Sequence, residues 1–213
     1  MKYDLHVHTA YSIDGSLSPE NVVRIARSRG LQGVAITDHN TIQGGIEAKK
    51  YETDGFDVIV GCEVKTDRGD LIGLFLTDEV RSRDLQGASS EIRAQGGLVV
   101  IPHPFDRFRS SAINPTDEEA RMVDALEVFN SRCLLNRCNR KALKTARRIG
   151  AGITAGSDAH FEREIGMAGI IIESDDIRTA IVRGQSEVFG RRSSLINYNR
   201  YLPLKLGGRG EGD

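Results

Sequence analysis

Leu5-His6-Val7-His8-Thr9 lies in a short run, Tyr3 to His8, that reads as a β-strand entering a polar turn. Side chains at i and i+2 of a strand share a face. His6 and His8 can therefore aim two imidazoles at one point, at a strand end where a loop leaves room for a ligand. Imidazole is the commonest protein ligand for zinc, iron and manganese. A same-face pair can equally be a structural coincidence, so the setting of the other histidines decides between the two readings.

The chain has five histidines. His39 follows the apolar run Gly33-Val34-Ala35-Ile36, in Thr37-Asp38-His39-Asn40. His103 follows Leu98-Val99-Val100-Ile101, in Pro102-His103-Pro104. His160 follows Gly152-Ile153-Thr154-Ala155-Gly156, in Ser157-Asp158-Ala159-His160. Scattered histidines would not all follow short apolar strands. If those strands are parallel, their C-terminal ends share one face, where α/β active sites are built.

Around these strands the chain alternates. Ser18 and Pro19 open a helix that Gly30 closes. A strand follows over Gly33 to Thr37, a helix from Ile42 to Tyr51 and a strand over Val58 to Glu63. Such strand–helix alternation is the signature of parallel α/β construction. It pauses at Asp67-Arg68-Gly69-Asp70, a turn between two extended pieces that reads as a hairpin or added strand. A helix over Asp84 to Gln95 then leads to the Leu98 strand. Further strands are expected at Ala125 to Phe129 and Met167 to Ile172, with helices at Thr116 to Met122, Asn136 to Ile149 and Asp176 to Gly184. Ser186 onward lacks clear periodicity, and the Gly-rich end is expected to be a disordered tail. The domain reading is one unit over 1–200 with a flexible tail over 201–213.

The chain has 213 residues, enough for one domain with a substantial core. A formal net charge of -1 implies no global pull towards nucleic acid or membrane. No run approaches the roughly 18 apolar residues of a membrane span, and the start lacks a signal peptide's apolar core. A cytoplasmic protein is therefore expected, without a membrane partner. Cys62, Cys133 and Cys138 are odd in number and lack tight metal spacing, so they read as packing residues.

Carboxylates accompany the histidines. Glu63 ends an apolar strand, where a buried glutamate needs a partner or a metal. Asp158 makes a second same-face pair with His160. Asp14, in Asp14-Gly15, fits a plain turn as well as a ligand. Asp38 fits either a ligand or an acceptor that orients an imidazole, and the second role is favoured. Five histidines with three carboxylates suffice for two or three divalent ions, and mixed N/O ligands suit manganese, iron or zinc. Two ions some 3.5–4 Å apart clamp the attacking and leaving oxygens of phosphoryl transfer. A bridging hydroxide would be the nucleophile, and no P-loop or Gly-x-Ser-x-Gly elbow is present.

These five motifs, His6-x-His8, Thr37-Asp38-His39-Asn40, Gly61-Cys62-Glu63, Pro102-His103-Pro104 and Ser157-Asp158-Ala159-His160, resemble in content and order those of the PHP (polymerase and histidinol phosphatase) family. The resemblance spans residues 1 to about 172. It implies a distorted seven-stranded (β/α)7 TIM-like barrel holding two or three metal ions, and hydrolysis of phosphate esters. By that resemblance His6, His8, Glu63 and Asp158 hold the first metal, Glu63 and His103 the second, and Asp14, His39 and His160 the third. Glu63 and Asp158 would carry catalysis with the metal-held hydroxide. The family often has a further histidine where this chain reads Glu127-Val128-Phe129-Asn130, so Asn130 is a candidate replacement. The spacing Glu127-x-x-Asn130 resembles the family's short, stand-alone phosphoesterases.

A phosphate also needs cations beyond the metals. Arg132, after a strand end, could form a bidentate fork. Arg107 and Arg109 lie in the irregular segment Asp106 to Pro115, which reads as a mobile loop over the site. The basic helix Arg137, Arg140, Lys141, Lys144, Arg147, Arg148 reads as a solvated outer face rather than a nucleic-acid footprint. The expected activity is hydrolysis of a phosphomonoester: a nucleotide or short oligonucleotide first, histidinol phosphate or another small metabolite next. Two other classes stay open. One is a non-catalytic barrel in a ribonucleoprotein, which would lack ligand residues. The other is an amidohydrolase acting on C–N bonds, which would bridge its metals with a carboxylated lysine, for which Lys65 is near enough.

Overall fold

The computed structural model describes residues 1–193. Chain order is β1 (Lys2–Val7), α1 (Pro19–Ser28), β2 (Gly33–Ile36), α2 (Gln43–Lys49), β3 (Asp57–Lys65), β4 (Asp70–Leu74), α3 (Leu85–Ala94) and β5 (Leu98–Ile101). Then come α4 (Asp117–Arg121), β6 (Ala125–Asn130), α5 (Asn136–Ile149), β7 (Gly152–Gly156), a 3-10 turn (Glu162–Glu164), β8 (Ala168–Ile171), α6 (Ile177–Val182) and β9 (Glu187–Gly190). The helix ends follow local chemistry. Ser18 accepts from Asn21 N–H ahead of Pro19, Thr116 and Glu119 form a capping box, and Gly150 closes α5 in the left-handed region at φ 71°.

The strands run β7-β6-β5-β4-β3-β2-β1-β8-β9 across the sheet. β1, β2 and β3 pair in parallel, as do β5, β6 and β7. β4 pairs antiparallel with both β3 and β5, so the six major strands share one direction. The segment after β7 returns to β1: Asp158 N–H donates to His6 O at 2.8 Å and His8 N–H to Ala159 O at 2.9 Å. That contact makes a nearly closed barrel. An apolar cluster draws residues from each strand from β1 to β8, among them Leu5, Ala35, Ile59, Val100 and Ala155, as a filled barrel requires. Two further clusters sit under the helices, one around Val22, Val34 and Ile36, the other around Leu71, Ile92 and Leu126.

Two expectations need correction. The sheet has nine strands among the described residues rather than seven, and three of them (β4, β8 and β9) run antiparallel to their neighbours. β9 lies where no periodicity was legible, because it is a half-exposed edge strand with no face fully buried. The 201–213 tail, and the domain boundary at 200, lie outside the described residues. Cys62 faces the apolar core and all three cysteines are buried and free. All six basic side chains of α5 are exposed.

Candidate metal centre

Parallel strand direction puts the polar ends of β1, β2, β3, β5, β6 and β7 on one rim. Five histidines and three carboxylates from those ends meet there. His6 Nε2 and His8 Nε2 are 3.1 Å apart. Glu63 Oε2 lies 3.5 Å from the first and 3.4 Å from the second, and Asp158 Oδ1 lies 3.6 and 3.4 Å from them. Ligands bonded at ~2.0–2.2 Å around a tetrahedral ion stand about 3.3–3.6 Å from one another. His6, His8 and Asp158 therefore have the spacing of a metal site, and Glu63 Oε2 lies against the same two imidazoles. Glu63 Oε2 and Asp158 Oδ1 are also buried and make no hydrogen bond, an arrangement that costs free energy unless a cation completes it.

Glu63 links this cage to the others. Its Oε1 sits 2.8 Å from His103 Nε2, and its Oε2 3.2 Å from His39 Nδ1. Asp14 reaches His39 Nε2 at 3.4 Å and His160 Nε2 at 3.5 Å. Three groupings could hold an ion: His6, His8 and Asp158; His8, Asp14, His39 and His160; and Glu63, Asp70 and His103. The donor set fits divalent metals of the manganese, iron and zinc kind.

The residues behind the ligands fix which ring nitrogen points inward. Glu127 Oε1 lies 3.0 Å from His6 Nδ1, and a carboxylate can only accept, so Nδ1 carries the proton and Nε2 is left for the cage. Ser12 Oγ donates to Asp38 Oδ1 at 2.8 Å and so accepts from His8 Nδ1 at 3.1 Å. Asp38 thus orients an imidazole, although it is His8 rather than its neighbour His39. Asp38 also takes the N–H and hydroxyl of Thr9, at 2.6 and 2.7 Å. His103 and Asp158 both adopt positive φ, at 33° and 56°, an uncommon conformation for such residues that clusters at functional sites.

The charges are coupled. Burial opposes a charged His6, yet Asp158, Glu127 and Glu63 outweigh it and hold the imidazolium well above its ordinary range. His39 rises to about 9 against its burial, through Glu63 and Asp14. Burial, with His160 and His39 nearby, pushes His8 down to about 3. Burial would raise Glu63 and Asp158, but the histidines, and Arg109 beside Asp158, hold both well below the usual carboxylate range. Carboxylates held ionised beside imidazole nitrogens give the centre a charge and a donor set that suit a divalent cation.

The expected substrate contacts fall in three places. Arg109 donates to Asp158 Oδ2 at 2.6 Å, so it belongs to the centre. Arg132 is buried, with Nη1 2.8 Å from His160 Nδ1 and 3.4 Å from Glu164 Oε2. Asn130 donates to Glu127 Oε2 at 3.0 Å and Asp158 Oδ2 at 3.2 Å, while its oxygen accepts from Arg132 N–H. Arg107 lines a different cavity, with Phe105 and α5. Lys65 is exposed at the end of β3.

Four residues of the site were not singled out from sequence as parts of it. Glu127 also accepts from His103 N–H at 2.6 Å, tying β5 to β6. Asp70, on β4, stands with Glu63 and His103, and burial and Glu63 raise its pKa. Asp4 accepts from Ser157 N–H and Gly166 N–H, both at 2.8 Å, and burial lifts it to about 6. Its i, i+2, i+4 spacing with His6 and His8 was a legible signal. Glu164, fully buried, accepts from His160 N–H at 3.0 Å, and nothing in its sequence setting announces it.

The family model described as PHP domain matches residues 4–169. The chain belongs to the PHP domain family. An uncharacterized protein of Methanocaldococcus jannaschii is 40% identical over 176 residues, covering 80% of this chain and 70% of its own. A second from that organism is 38% identical over 146 residues, covering 62% and 82%. A 5'-3' exoribonuclease of Haemophilus influenzae is 42% identical over 66 residues, covering 30% of this chain and 24% of its own.

Solved structures share the fold. A two-domain protein of Bacteroides vulgatus containing a predicted PHP-like metal-dependent phosphoesterase aligns with TM-score 0.74 at 20% identity, covering 90% of this chain and 65% of that one. A protein of Bifidobacterium adolescentis, named by inference a metal-dependent phosphoesterase, aligns at 0.68 with 19% identity, covering 92% and 98%. An amidohydrolase of Chromobacterium violaceum, holding sulfate, aligns at 0.61 with 17% identity, covering 96% and 97%. Among the described residues no helix is long and apolar enough to cross a membrane.

Proposed function

We propose that this PHP protein is a metal-dependent hydrolase of phosphomonoesters, with a nucleotide or short oligonucleotide as the favoured substrate. Histidinol phosphate and other small metabolites come second. The observation that carries the reading is the cage of His6, His8, Glu63 and Asp158, with two buried carboxylate oxygens lacking hydrogen bonds. Two or three manganese, iron or zinc ions there would activate water at neutral pH and neutralise phosphate charge. The protein's own part is positional. Glu127 and Ser12 hold the His6 and His8 tautomers, Glu63 spans the groupings, and Arg109 offers a guanidinium at the centre for phosphate oxygens. A cytoplasmic setting accords with the charge balance and the free cysteines.

The likeness to an exoribonuclease over a short stretch supports a nucleotide leaving group. The amidohydrolase neighbour keeps C–N hydrolysis as the rival. The exposed position of Lys65 and the central one of Glu63 favour the phosphoesterase. A scaffold role is disfavoured because nearly all of the ligand residues are retained. The test is metal analysis of the purified protein alongside hydrolysis of 4-nitrophenyl phosphate with manganese. Two or three ions per chain, with activity abolished by His8→Ala, is the expected result. A folded protein that takes up no metal under any loading overturns it.

A further inference from the structure

Asp4 lies two residues before His6 on β1 and is fully buried, yet among the described residues it forms no ion pair. Hydrogen-bond donors converge on it instead. Its Oδ1 accepts from Ser157 N–H at 2.8 Å and, more weakly, from His6 N–H at 3.4 Å. Its Oδ2 accepts from Gly166 N–H at 2.8 Å and from the Ser157 hydroxyl. An ionised carboxylate suits such a place because it offers several acceptor sites and no donor.

The two residues it grips, Ser157 and Gly166, are the ends of one segment. Between them the chain carries Asp158 and His160 into the centre, with Glu164 behind them accepting from His160 N–H at 3.0 Å. Asp158 stands at φ 56°, a conformation that persists in such a residue only where its neighbours over-determine it. The main chain of β1 supplies part of that constraint: His6 O accepts from Asp158 N–H at 2.8 Å, and His8 N–H donates to Ala159 O at 2.9 Å. Gly166, at φ 71°, then turns the chain towards β8. We propose that Asp4 is a positioning residue, which clamps both ends of the Ser157–Gly166 segment from beneath and so sets where Asp158 and His160 present their ligating atoms. It acts through Ser157 and Gly166 and would itself touch neither metal nor substrate. Glu63, His39 and His103 come from β3, β2 and β5, which the clamp does not include. The inference rests on the metal-centre reading above.

Asp4→Asn keeps the shape and turns one oxygen into an NH₂. The Ser157 hydroxyl can rotate and accept from that group, whereas Gly166 N–H cannot, so the Gly166 end of the clamp opens. The experiment compares this variant with the unaltered protein in two ways: amide hydrogen exchange of the metal-free forms, and manganese binding followed by the paramagnetic resonance of the free ion. Peptides within 157–166 should exchange at least about tenfold faster while those of β2, β3 and β5 stay within about twofold. Manganese affinity should fall about 10–100-fold for at least one ion. A merely structural role would speed exchange across the whole barrel and leave the affinity of the folded protein unmoved. Uniform acceleration, unmoved affinity or unaltered exchange of the segment each overturns the proposal. Should Asp4→Asn fail to fold, Ser157→Ala deletes one donor and leaves the carboxylate in place. It should then change the same two readouts about fivefold, and no change in either overturns the clamp. If the unaltered protein binds no manganese, the metal-centre reading has failed, and the metal-free proteins decide. Local acceleration together with shifted His160 ring resonances upholds the positioning role, and the absence of either removes it.

Discussion

Glu63 Oε1 stands 2.8 Å from His103 Nε2, while the other oxygen of the same carboxylate faces His39, His8 and His6 at 3.2 to 3.5 Å. One side chain on β3 thereby touches imidazoles delivered by β1, β2 and β5. Glu63→Gln keeps the shape and removes the charge and one acceptor oxygen. Metal content after dialysis should drop by at least one ion per chain, with hydrolysis falling more than about 100-fold. Circular dichroism should remain native. Retention of the full metal content would remove Glu63 as the bridge.

Glu127 tests orientation without touching a metal. Its Oε1 takes His6 Nδ1 at 3.0 Å, and its Oε2 takes His103 N–H and Asn130 Nδ2 at 2.6 and 3.0 Å. In Glu127→Gln the oxygen is claimed by the two N–H donors, and the new amide NH₂ faces His6. It then donates to Nδ1, which moves the imidazole proton to Nε2 and blocks the ligating lone pair. Metal affinity should fall about 10–100-fold. Nitrogen-15 shifts of His6 should report the exchanged tautomer, and an unchanged spectrum would refute the mechanism.

Most of this arrangement was legible because several barrel strands pair an apolar run with a polar residue at or just past its end. β2 and β5 are buried throughout, which reads as a parallel strand, and His39 and His103 follow directly. Depth was not legible. Asp70 reads as part of an Asp-Arg-Gly-Asp turn, and only its pairing opposite Lys65 on β3 carries it inside. Glu164 lies in a short turn with no periodicity, and tertiary contacts alone aim it at His160. Arg107 and Arg109 look alike in sequence, yet the loop's turns send them to different cavities.

Metal loading should depend on pH with a defined sign. His39 titrates at about 9 in the metal-free protein, raised against its burial by Glu63 and Asp14. A raised folded-state value contributes stability below the ordinary histidine range, and that contribution is lost as pH rises through about 9. A ligating imidazole must be neutral, so metal competes with that proton. Affinity should climb from pH 6 to about 9, with protons released on binding. Calorimetry in buffers of different ionisation enthalpy counts them, and a pH-independent affinity would contradict the assignment.

Barrel closure depends on Gly156. A Cβ there would lie 2.3 Å from His6 Cβ and 2.8 Å from His6 N, and backbone cannot yield as a flexible side chain can. The close approach also sets up the Asp158 N–H to His6 O bond that brings Asp158 beside His6 and His8. Gly156→Ala should destabilise the protein by about 2–3 kcal/mol, read from the urea midpoint. It should also weaken metal binding. A neutral midpoint would mean that β1 and β7 are less tightly apposed than these distances require.

The segment Asp106 to Pro115 is the remaining candidate for a cover over the centre. It is anchored by Phe105 N–H to Ile113 O at 2.9 Å, and its Arg109 side chain is held 2.6 Å from Asp158. A metal ion at Asp158 would compete for that carboxylate and leave the guanidinium available to phosphate oxygens, where a bidentate fork is strong. Arg109→Lys keeps the charge but loses the fork. It should therefore raise KM or lower kcat by about tenfold, while Arg109→Ala should lose more and metal content should stay constant. Trimming residues 107–112 should reproduce the alanine variant. Unchanged kinetics in all three would confine Arg109 to balancing the Asp158 charge.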